Sequence, residues 1–370
     1  MSLYKNHKNA WLILEDGTIF AGKSFGCEGT TVGEVVFATG MTGYQETLTD
    51  PSYYGQIVTQ TFPMIGNYGV NSQDFESDKV YMKGYIVREY CEEPNNFRME
   101  GTIDDFLKKQ GVIAIYDIDT RALTRRIREK GVMNGAITTV DPAQGIDDLM
   151  EEIKNYTIRD AVKTVSTKKV IEYPAQEGER YHVVLMDFGY KRNIRRKLLD
   201  HGMHVTVVPH DYTLEQIRAL NPDGIMLSNG PGDPAENVEV IENLKEIAKS
   251  GIPTFGICLG HQLMALAHGA KTQKMKYGHR GANQPVINLD TGRTYVTTQN
   301  HGYAVVGESL DPAVGRVTHV NANDRTCEGI SYADDVFTVQ FHPEAFAGPL
   351  DTGYLFDVFA EKIAKYKEVK

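Results

Sequence analysis

The sequence predicts an α/β protein in two parts, and two observations carry this prediction. After residue 180, apolar strand patterns alternate with amphipathic helix patterns, which is typical of a parallel sheet covered on both faces. Before residue 166, the strand patterns are short and glycines are frequent. We therefore expect a C-terminal domain with an open mixed, mostly parallel sheet flanked by helices, and a smaller N-terminal α/β module.

Length and composition limit the class of protein. The chain has 370 residues, a net charge of −10 and a pI near 5.6, which fits two or three globular domains and argues against a nucleic-acid surface. Its 4 cysteines are scattered, as in proteins of a reducing compartment. The segment Met1 to Ala10 lacks the apolar core of a signal peptide, and no stretch is long enough to span a bilayer. These features predict a cytoplasmic protein.

The N-terminal module is predicted to span residues 1–165 and to contain short strands and two helices. Its elements are expected at Trp11–Leu14, Gly33–Thr39, Gln56–Thr61 and Lys83–Val87 for strands, and at Thr102–Gln110 and Thr120–Glu129 for helices. Its glycine-containing loops lack the spacing of phosphate-binding loops, so we expect no nucleotide site there. The polar stretch at residues 166–180 is predicted to be the linker to a second domain at 181–370.

The C-terminal domain begins with three strand-then-helix units. They are predicted at residues 182–188 with 193–201, 205–209 with 214–219, and 224–228 with 238–249. From Gln284 onward, the strand patterns at 293–298 and 336–341 look like hairpin strands, which makes the predicted sheet mixed.

The segment PTFGICLGHQ at residues 253–262 predicts a nucleophile elbow with sulfur in place of oxygen. A strand pattern enters a glycine turn that carries Cys258, and a helix follows. Gly256 and Gly260 flank the cysteine where side chains would collide if a strand turned directly into a helix. Amides at the start of that helix would favour a thiolate and, later, the oxyanion of a tetrahedral intermediate. The alternative is that Cys258 is only a small buried apolar residue.

A second segment, VFTVQFHPE at residues 336–344, supplies an imidazole and a carboxylate. His342 and Glu344 are two residues apart at the end of a strand pattern, so their side chains point the same way in an extended backbone. A carboxylate beside a histidine fixes its tautomer and leaves the other ring nitrogen to deprotonate a thiol. Cys258, His342 and Glu344 therefore form a predicted catalytic triad.

A third segment, DGIMLSNGPGDP at residues 223–234, predicts a strand that enters a loop too rich in glycine and proline to be a helix. Such a loop presents bare backbone N–H groups to a ligand. It precedes the elbow by one strand-helix unit, so both loops are expected at neighbouring carboxyl ends of parallel strands, where open α/β sheets build their sites.

These three motifs together resemble the triad class of glutamine amidotransferases. The resemblance implies that Cys258 attacks the side-chain amide of glutamine, that His342 is the general base and acid, and that Glu344 orients it. The resemblance also assigns glutamine-binding and oxyanion positions, which are Gly230, Gly232, Leu259, Gln262, Asn300, Gly302 and Tyr303.

His261 is a rival base because it lies near Cys258 in the sequence. It is on the same short predicted helix, which favours a supporting role. No C-x-x-C pair and no H-E-x-x-H motif occurs, which argues against a zinc hydrolase. We therefore expect neither a metal nor a cofactor in this chain.

The N-terminal module decides which amidotransferase the chain resembles. Its segments resemble the small-chain family of carbamoyl-phosphate synthetases and extend the resemblance over essentially the whole chain; they are Leu14–Thr18, Gly33–Glu46, Thr49–Tyr53 and Asp119–Arg125. The resemblance implies that Ser52 reaches the glutamine site. It also implies a heterodimer, or a higher oligomer of it, in which ammonia passes through a tunnel to a large subunit. That subunit would use ATP and Mg to make carbamoyl phosphate from bicarbonate for arginine and pyrimidine synthesis.

Three alternatives differ in class. Other triad amidotransferases serve anthranilate, aminodeoxychorismate, GMP or CTP synthesis, but they lack this N-terminal module. A docking subunit that has lost its glutaminase would contain no activated thiol. A free-standing γ-glutamyl hydrolase would be fully active alone, whereas a coupled subunit would be weakly active until its partner binds.

Overall fold

The computed structural model describes residues 7–175, 178–333 and 335–369, and the chain forms two compact units, Met1–Arg159 and Asp160–Lys370. The second unit therefore begins before the predicted linker at residues 166–180. Val162 packs in the core of the second unit, and Ile171–Tyr173 forms a strand of its sheet. Because these residues pack in the core and in the sheet of the second unit, they are part of that unit and not of a linker. Residues 176 and 177 of the predicted linker lie outside the described residues.

The first unit is a closed β-barrel with helices around it. Its strands are β1 (Asn9–Leu14), β2 (Ile19–Gly26), β3 (Thr30–Ala38), β4 (Gln56–Gln60), β5 (Met64–Ile65), β6 (Gly84–Ile86), β7 (Glu89–Tyr90), β8 (Ile113–Tyr116) and β9 (Met133–Thr138). Its helices are α1 (Tyr44–Thr49), α2 (Ile103–Gln110), α3 (Thr120–Lys130) and α4 (Asp147–Asn155). The barrel order is β1-β2-β8-β6-β4-β3-β9, and β5 pairs with β7 apart from it.

The barrel encloses an apolar core that the strand patterns only partly revealed. Leu12, Val35 and Ile57 are buried in one cluster with Ile115 and Ile137. The predicted strands and helices fall on β1, β3, β4, β6, α2 and α3. Closure was not predictable, because it depends on β2, β8 and β9, which join strands distant in the sequence.

The second unit is built on one mixed sheet. Its strands are β10 (Ile171–Tyr173), β11 (Tyr181–Asp187), β12 (Met203–Pro209), β13 (Gly224–Leu227), β14 (Thr254–Ile257), β15 (Lys271–Asn288), β16 (Thr294–Val306), β17 (Gly315–Asn321), β18 (Cys327–Tyr332) and β19 (Val336–Val339). Its helices are α5 (Ala161–Val165), α6 (Arg192–Asp200), α7 (Leu214–Ala219), α8 (Val238–Ala248), α9 (Leu259–Ala267) and α10 (Leu355–Val369).

The sheet has a parallel centre and an antiparallel extension, which confirms the predicted class. Its order is β10-β12-β11-β13-β14-β19-β18-β17-β15-β16. The strands from β12 to β19 in this order run parallel, whereas β18, β17, β15 and β16 add antiparallel pairings. The antiparallel part is longer than the sequence indicated, because β15 spans 18 residues with few apolar side chains.

Apolar cores on both faces cover the parallel centre. On β11, Val184 and Met186 pack in the cluster that includes α8 and α9, while Val183 and Leu185 pack on the opposite face with α6 and α10. Alternate side chains on both faces are buried, as expected for a doubly covered parallel sheet. Among the described residues, none of the helices combines the length and the hydrophobicity that a transmembrane helix requires.

Candidate active site

Cys258 occupies a strained turn between β14 and α9. Its φ of 54° and ψ of −103° lie outside the regions that side chains normally tolerate. The residue caps the start of α9, and its amide donates to the carbonyl oxygen of Val339 on the neighbouring β19 at 2.9 Å. The thiol is therefore fixed where a strand ends and a helix begins, as the sequence predicted.

The two flanking glycines permit this turn because no side chain would fit. A Cβ on Gly260 would lie 2.5 Å from the carbonyl oxygen of Leu227, and a Cβ on Gly256 would lie 2.8 Å from the side chain of Thr338 and 3.1 Å from the backbone of Gly260. Helix α9 can therefore start directly against β13 and β14. The close approach depends on both glycines.

The loop that follows β13 meets the elbow. A Cβ on Gly230 would lie 2.2 Å from the carbonyl oxygen of Phe188 and 2.7 Å from Cδ2 of Leu259. The two predicted oxyanion donors, Gly230 and Leu259, are thus neighbours. Leu259 is the first residue of α9, and the first amides of a helix have no carbonyl partner within the helix.

Polar side chains tie this loop to the loop after β11. The side chain of Asn229 accepts from the amide of Lys191 at 3.0 Å and donates to the carbonyl oxygen of Gly189 at 3.0 Å, and the Ser228 hydroxyl accepts from the amide of Phe188 at 2.9 Å. Three loops at the carboxyl ends of neighbouring parallel strands therefore converge, which is where an open α/β sheet places its ligand.

His342 and Glu344 follow β19, the strand beside the elbow. Nδ1 of His342 and Oε1 of Glu344 are 2.7 Å apart, and both side chains are fully buried. Since a carboxylate only accepts, Nδ1 carries the proton of the neutral ring, and Nε2 is left with its lone pair. Within the described residues, this Nε2 is buried without a hydrogen-bond partner.

Lys191 forms a second contact with the same carboxylate. Its Nζ lies 2.7 Å from Oε1 of Glu344, and the lysine side chain is buried. Burial alone would raise the pKa of Glu344, but the charge of Lys191 and the contact with His342 outweigh it and lower that pKa to about 2. Glu344 therefore stays ionised across the physiological range and keeps His342 oriented.

The edge strand β16 contacts both catalytic candidates. Sγ of Cys258 lies 3.7 Å from the carbonyl oxygen of Asn300, and the amide of His342 donates to the carbonyl oxygen of Thr298 at 2.9 Å. The structure thus places the backbone of Asn300 beside the thiol, while the role of Asn300 in binding glutamine stays a prediction.

The other predicted glutamine-binding residues lie in different parts of the structure. Gln262 uses its amide nitrogen to bridge the carbonyl oxygen of Tyr303 at 2.8 Å and Oε1 of Gln340 at 2.9 Å, so it links β16 to the end of β19. Gly232 has a left-handed φ of 89° in the loop after β13, and Gly302 lies on β16. Ser52 belongs to the first unit, and its predicted role stays a prediction.

The surroundings of His261 fit a structural role. Its side chain is fully buried, its Nδ1 lies 2.8 Å from the Thr338 hydroxyl, and burial lowers its pKa to about 3. A neutral, buried ring held by a threonine fits the supporting role that the sequence favoured over the role of rival base.

Two features of the site were not predicted from the sequence. Lys191 lies in a loop with no motif of its own, although its position after a parallel strand was a signal that could have been used. The second feature is a buried polar cluster of His279, His301 and Glu328, whose ligand-type atoms lie within 4.8 Å of one another. These atoms could hold a metal ion, but the side chain of Gln299 already hydrogen-bonds to all three residues.

Two family models cover most of the chain. The model described as "Carbamoyl-phosphate synthase small chain, CPSase domain" matches residues 12–137, and the model described as "Glutamine amidotransferase class-I" matches residues 184–362. The first match lies in the barrel unit, and the second contains the elbow, the loop after β13 and the His-Glu pair.

Curated relatives align over nearly the full length. A carbamoyl phosphate synthase small chain of Fusobacterium nucleatum is 52% identical over 357 residues, which are 96% of this chain and 98% of that protein. One from Bacillus cereus is 51% identical over 96% of each chain. Among solved structures, a putative GMP synthase component from Thermoplasma acidophilum is 21% identical, covers 52% of this chain and 98% of its own, and has a TM-score of 0.45.

Proposed function

We propose that Cys258, His342 and Glu344 hydrolyse glutamine in this chain, which belongs to the family of carbamoyl-phosphate synthase small chains, the glutamine-hydrolysing subunits of these enzymes. The observation that carries this proposal is the orientation of His342. Its Nδ1 faces an ionised carboxylate, its Nε2 has a free lone pair, and its strand lies beside the strand that ends in the strained Cys258.

In the first half of the reaction, Nε2 of His342 accepts the thiol proton and Sγ of Cys258 bonds to the side-chain carbonyl carbon of glutamine. The oxygen of the tetrahedral intermediate accepts hydrogen bonds from the amides of Gly230 and Leu259. The carbon–nitrogen bond then breaks, and the departing amine takes the proton from His342 and leaves as ammonia. A glutamyl thioester remains on Cys258.

In the second half, water attacks the thioester and gives a proton to His342. The carbon–sulfur bond breaks, the proton returns to the sulfur and glutamate leaves. Glu344 stays ionised throughout and stabilises the imidazolium, while Lys191 balances the charge of the carboxylate. No step draws on a metal or a cofactor of this chain.

The α-amino and α-carboxylate groups of glutamine are assigned to the surroundings of the thiol. We assign them to Gly232, Gln262 and the segment from Asn300 to Tyr303, and the role that the resemblance implies for Ser52 stays a prediction. Since Gln262 already bridges β16 and the end of β19, its contribution is to hold the binding strand in place.

The family places a large subunit beside this chain. We propose a heterodimer, which could assemble further, in which ammonia passes through a tunnel to the large subunit. There, ATP, Mg and bicarbonate would give carbamoyl phosphate for arginine and pyrimidine synthesis. We place the complex in the cytoplasm.

The test is glutamine hydrolysis by the purified chain, alone and with a carbamoyl-phosphate synthase large subunit, ATP and bicarbonate. We expect weak hydrolysis alone and strong stimulation with formation of carbamoyl phosphate in the complex. Hydrolysis that is equally fast with and without the large subunit would contradict the coupling. Hydrolysis that survives alkylation of Cys258 would contradict the thioester route.

A further inference from the structure

The strand β16 lies beside the thiol of Cys258. Its carbonyl oxygens at Thr298 and Asn300 face the catalytic side, where they contact the amide of His342 and Sγ of Cys258. Successive side chains of a strand point to opposite faces. The side chains of Gln299 and His301 therefore share one face of β16, and the side chain of Asn300 lies on the other.

The pairing of this part of β16 with β15 is short and irregular. It is the last strand in the order of the sheet, and its ladder with β15 shifts register between Lys274 and His279 and again between Gly281 and Gln284. The ladder between these bulges consists of three residue pairs, and one of them joins Gly281 to Gln299. Because a short ladder between two bulges fixes a strand poorly, the position of this segment also depends on its side chains.

Those side chains form a buried network around Gln299. Its Nε2 donates to Oε2 of Glu328 at 3.0 Å, and its Oε1 lies 3.0 Å from Nδ1 of His279 and 2.9 Å from Nε2 of His301. Gln299 is 1% exposed and Glu328 is not exposed. Glu328 stands on β18, three positions further into the sheet, so the network fastens an edge strand to the interior.

The network is also charged at its far end. Nε2 of His279 lies 2.8 Å from Oδ2 of Asp324, in the turn between β17 and β18. Burial disfavours a charged His279, but Glu328 and Asp324 outweigh burial and raise its pKa. A protonated His279 can donate from both ring nitrogens, to Gln299 and to Asp324. His279 and Glu328 therefore hold Gln299 from two different strands.

We propose that Glu328 and His279 are positioning residues for glutamine binding, which act through Gln299 to hold β16 against Cys258. They do not contact the reacting atoms. This inference rests on the proposed glutaminase site and adds two residues to it that no motif marked. Loss of Glu328 or His279 should loosen β16 and weaken glutamine binding. The thiol, the His-Glu pair and the activity of the large subunit should be unaffected.

The test uses the full chain assembled with its large subunit. For Glu328→Leu, we expect the KM for glutamine to rise by at least about tenfold, with kcat changed by less than about threefold and ammonia-dependent synthesis unchanged. Glu328→Gln keeps an acceptor for Gln299, so its KM should stay within about threefold of the wild type.

A matched control separates positioning from general stability. Ile330 is fully buried on the same strand as Glu328, and Ile330→Val should lower the unfolding temperature without changing the KM. If Ile330→Val raises the KM as much as Glu328→Leu does, the KM follows stability and the inference is wrong.

His279→Ala serves as the second variant in case Glu328→Leu does not fold. It removes a second of the hydrogen bonds that hold Gln299, so we expect the same increase in KM, and the double variant should be no worse than the more affected single one. A wild-type KM in His279→Ala, or in folded Glu328→Leu, overturns the inference. A wild-type complex without glutaminase activity would overturn the proposed function and this inference with it.

Discussion

The parallel centre and the antiparallel edge of the second unit's sheet serve the same site by different means. Cys258 and His342 follow β14 and β19, which are buried, short and paired in unbroken register. Asn300 lies on β16, whose ladder is interrupted twice and whose position depends on buried polar side chains. Regular strand pairing thus sets the positions of Cys258 and His342 in the sheet, whereas the segment of β16 around Asn300 depends on buried side chains as well as on its backbone. Substitutions on the two sides should therefore affect different kinetic constants.

The largest effect should come from removing the proposed nucleophile at the parallel centre. Cys258→Ser keeps the size of the side chain but replaces a thiol by a hydroxyl that is far harder to deprotonate. We expect glutamine hydrolysis to fall by at least about 10³-fold, while ammonia-dependent carbamoyl phosphate synthesis by the complex continues. Both rates can be measured on one preparation, and residual hydrolysis near the wild-type rate would refute the assignment.

The His-Glu pair should separate proton transfer from orientation. His342→Asn removes the proposed base, and we expect a loss of about 10²–10⁴-fold in kcat. Glu344→Gln leaves an acceptor for Nδ1 of His342, so its loss in kcat should be about tenfold smaller. Steady-state kinetics of both variants decide the matter. Equal losses would mean that Glu344 has a role beyond orientation.

Lys191→Met tests how much the positive charge of Lys191 stabilises the buried carboxylate of Glu344. Removing the cation leaves Glu344 buried with less compensation, and we expect a loss of about 3–5 kcal/mol in the free energy of unfolding at neutral pH. The pKa of Glu344 lies at about 2, below its ordinary value of 4.5. Its contribution to stability is therefore complete above that ordinary value and is lost as the pH falls towards 2.

Urea unfolding of the wild type and Lys191→Met between pH 7 and pH 3 measures this difference. Without Lys191 the folded pKa of Glu344 is higher, so the two proteins should become more similar in stability as the pH falls. A gap that stays constant over this range would show that Glu344 is not the group that Lys191 stabilises.

Gly260→Ala tests how far the parallel centre depends on close backbone approach. Its Cβ would lie 2.5 Å from the carbonyl oxygen of Leu227, so we expect a loss of about 1–3 kcal/mol in stability and a lower kcat as the elbow shifts. Gly101→Ala is the control, since its Cβ would meet only Val70 at 3.8 Å. Unfolding curves and glutaminase rates of the two variants should differ clearly, and equal behaviour would remove the steric explanation.

The smallest effect on kcat is expected at His261. His261→Asn removes a ring whose pKa of about 3 keeps it neutral, and it retains polar atoms beside Thr338. We expect a loss of about 1 kcal/mol in stability and a kcat within about tenfold of the wild type. If this variant loses as much activity as His342→Asn, the rival base is the true one.

The parallel centre was largely predictable from the sequence and the antiparallel edge was not. Buried parallel strands produce continuous apolar runs, and the turns at their ends need particular glycines, so residues 224–228 and 253–262 carried strong signals. The strand β15 carries few apolar residues and its pairing with β16 is interrupted by two bulges, so its sequence shows no regular strand pattern. Lys191 and Glu328 were missed for a related reason: an isolated charged residue has no periodic pattern, and only the fold shows its partner.

The interrupted pairing of β16 has a consequence for amide hydrogen exchange. Amides in β14 and β19 lie between neighbouring strands, so we expect them to exchange only when the centre of the sheet opens, whereas we expect the segment around Asn300 to exchange through small local openings. We therefore expect a slowly exchanging half, which carries Cys258 and His342, and a faster half around Asn300, which we propose binds glutamine. A change in the opening of that faster half would alter the supply of ammonia and leave the nucleophile undisturbed.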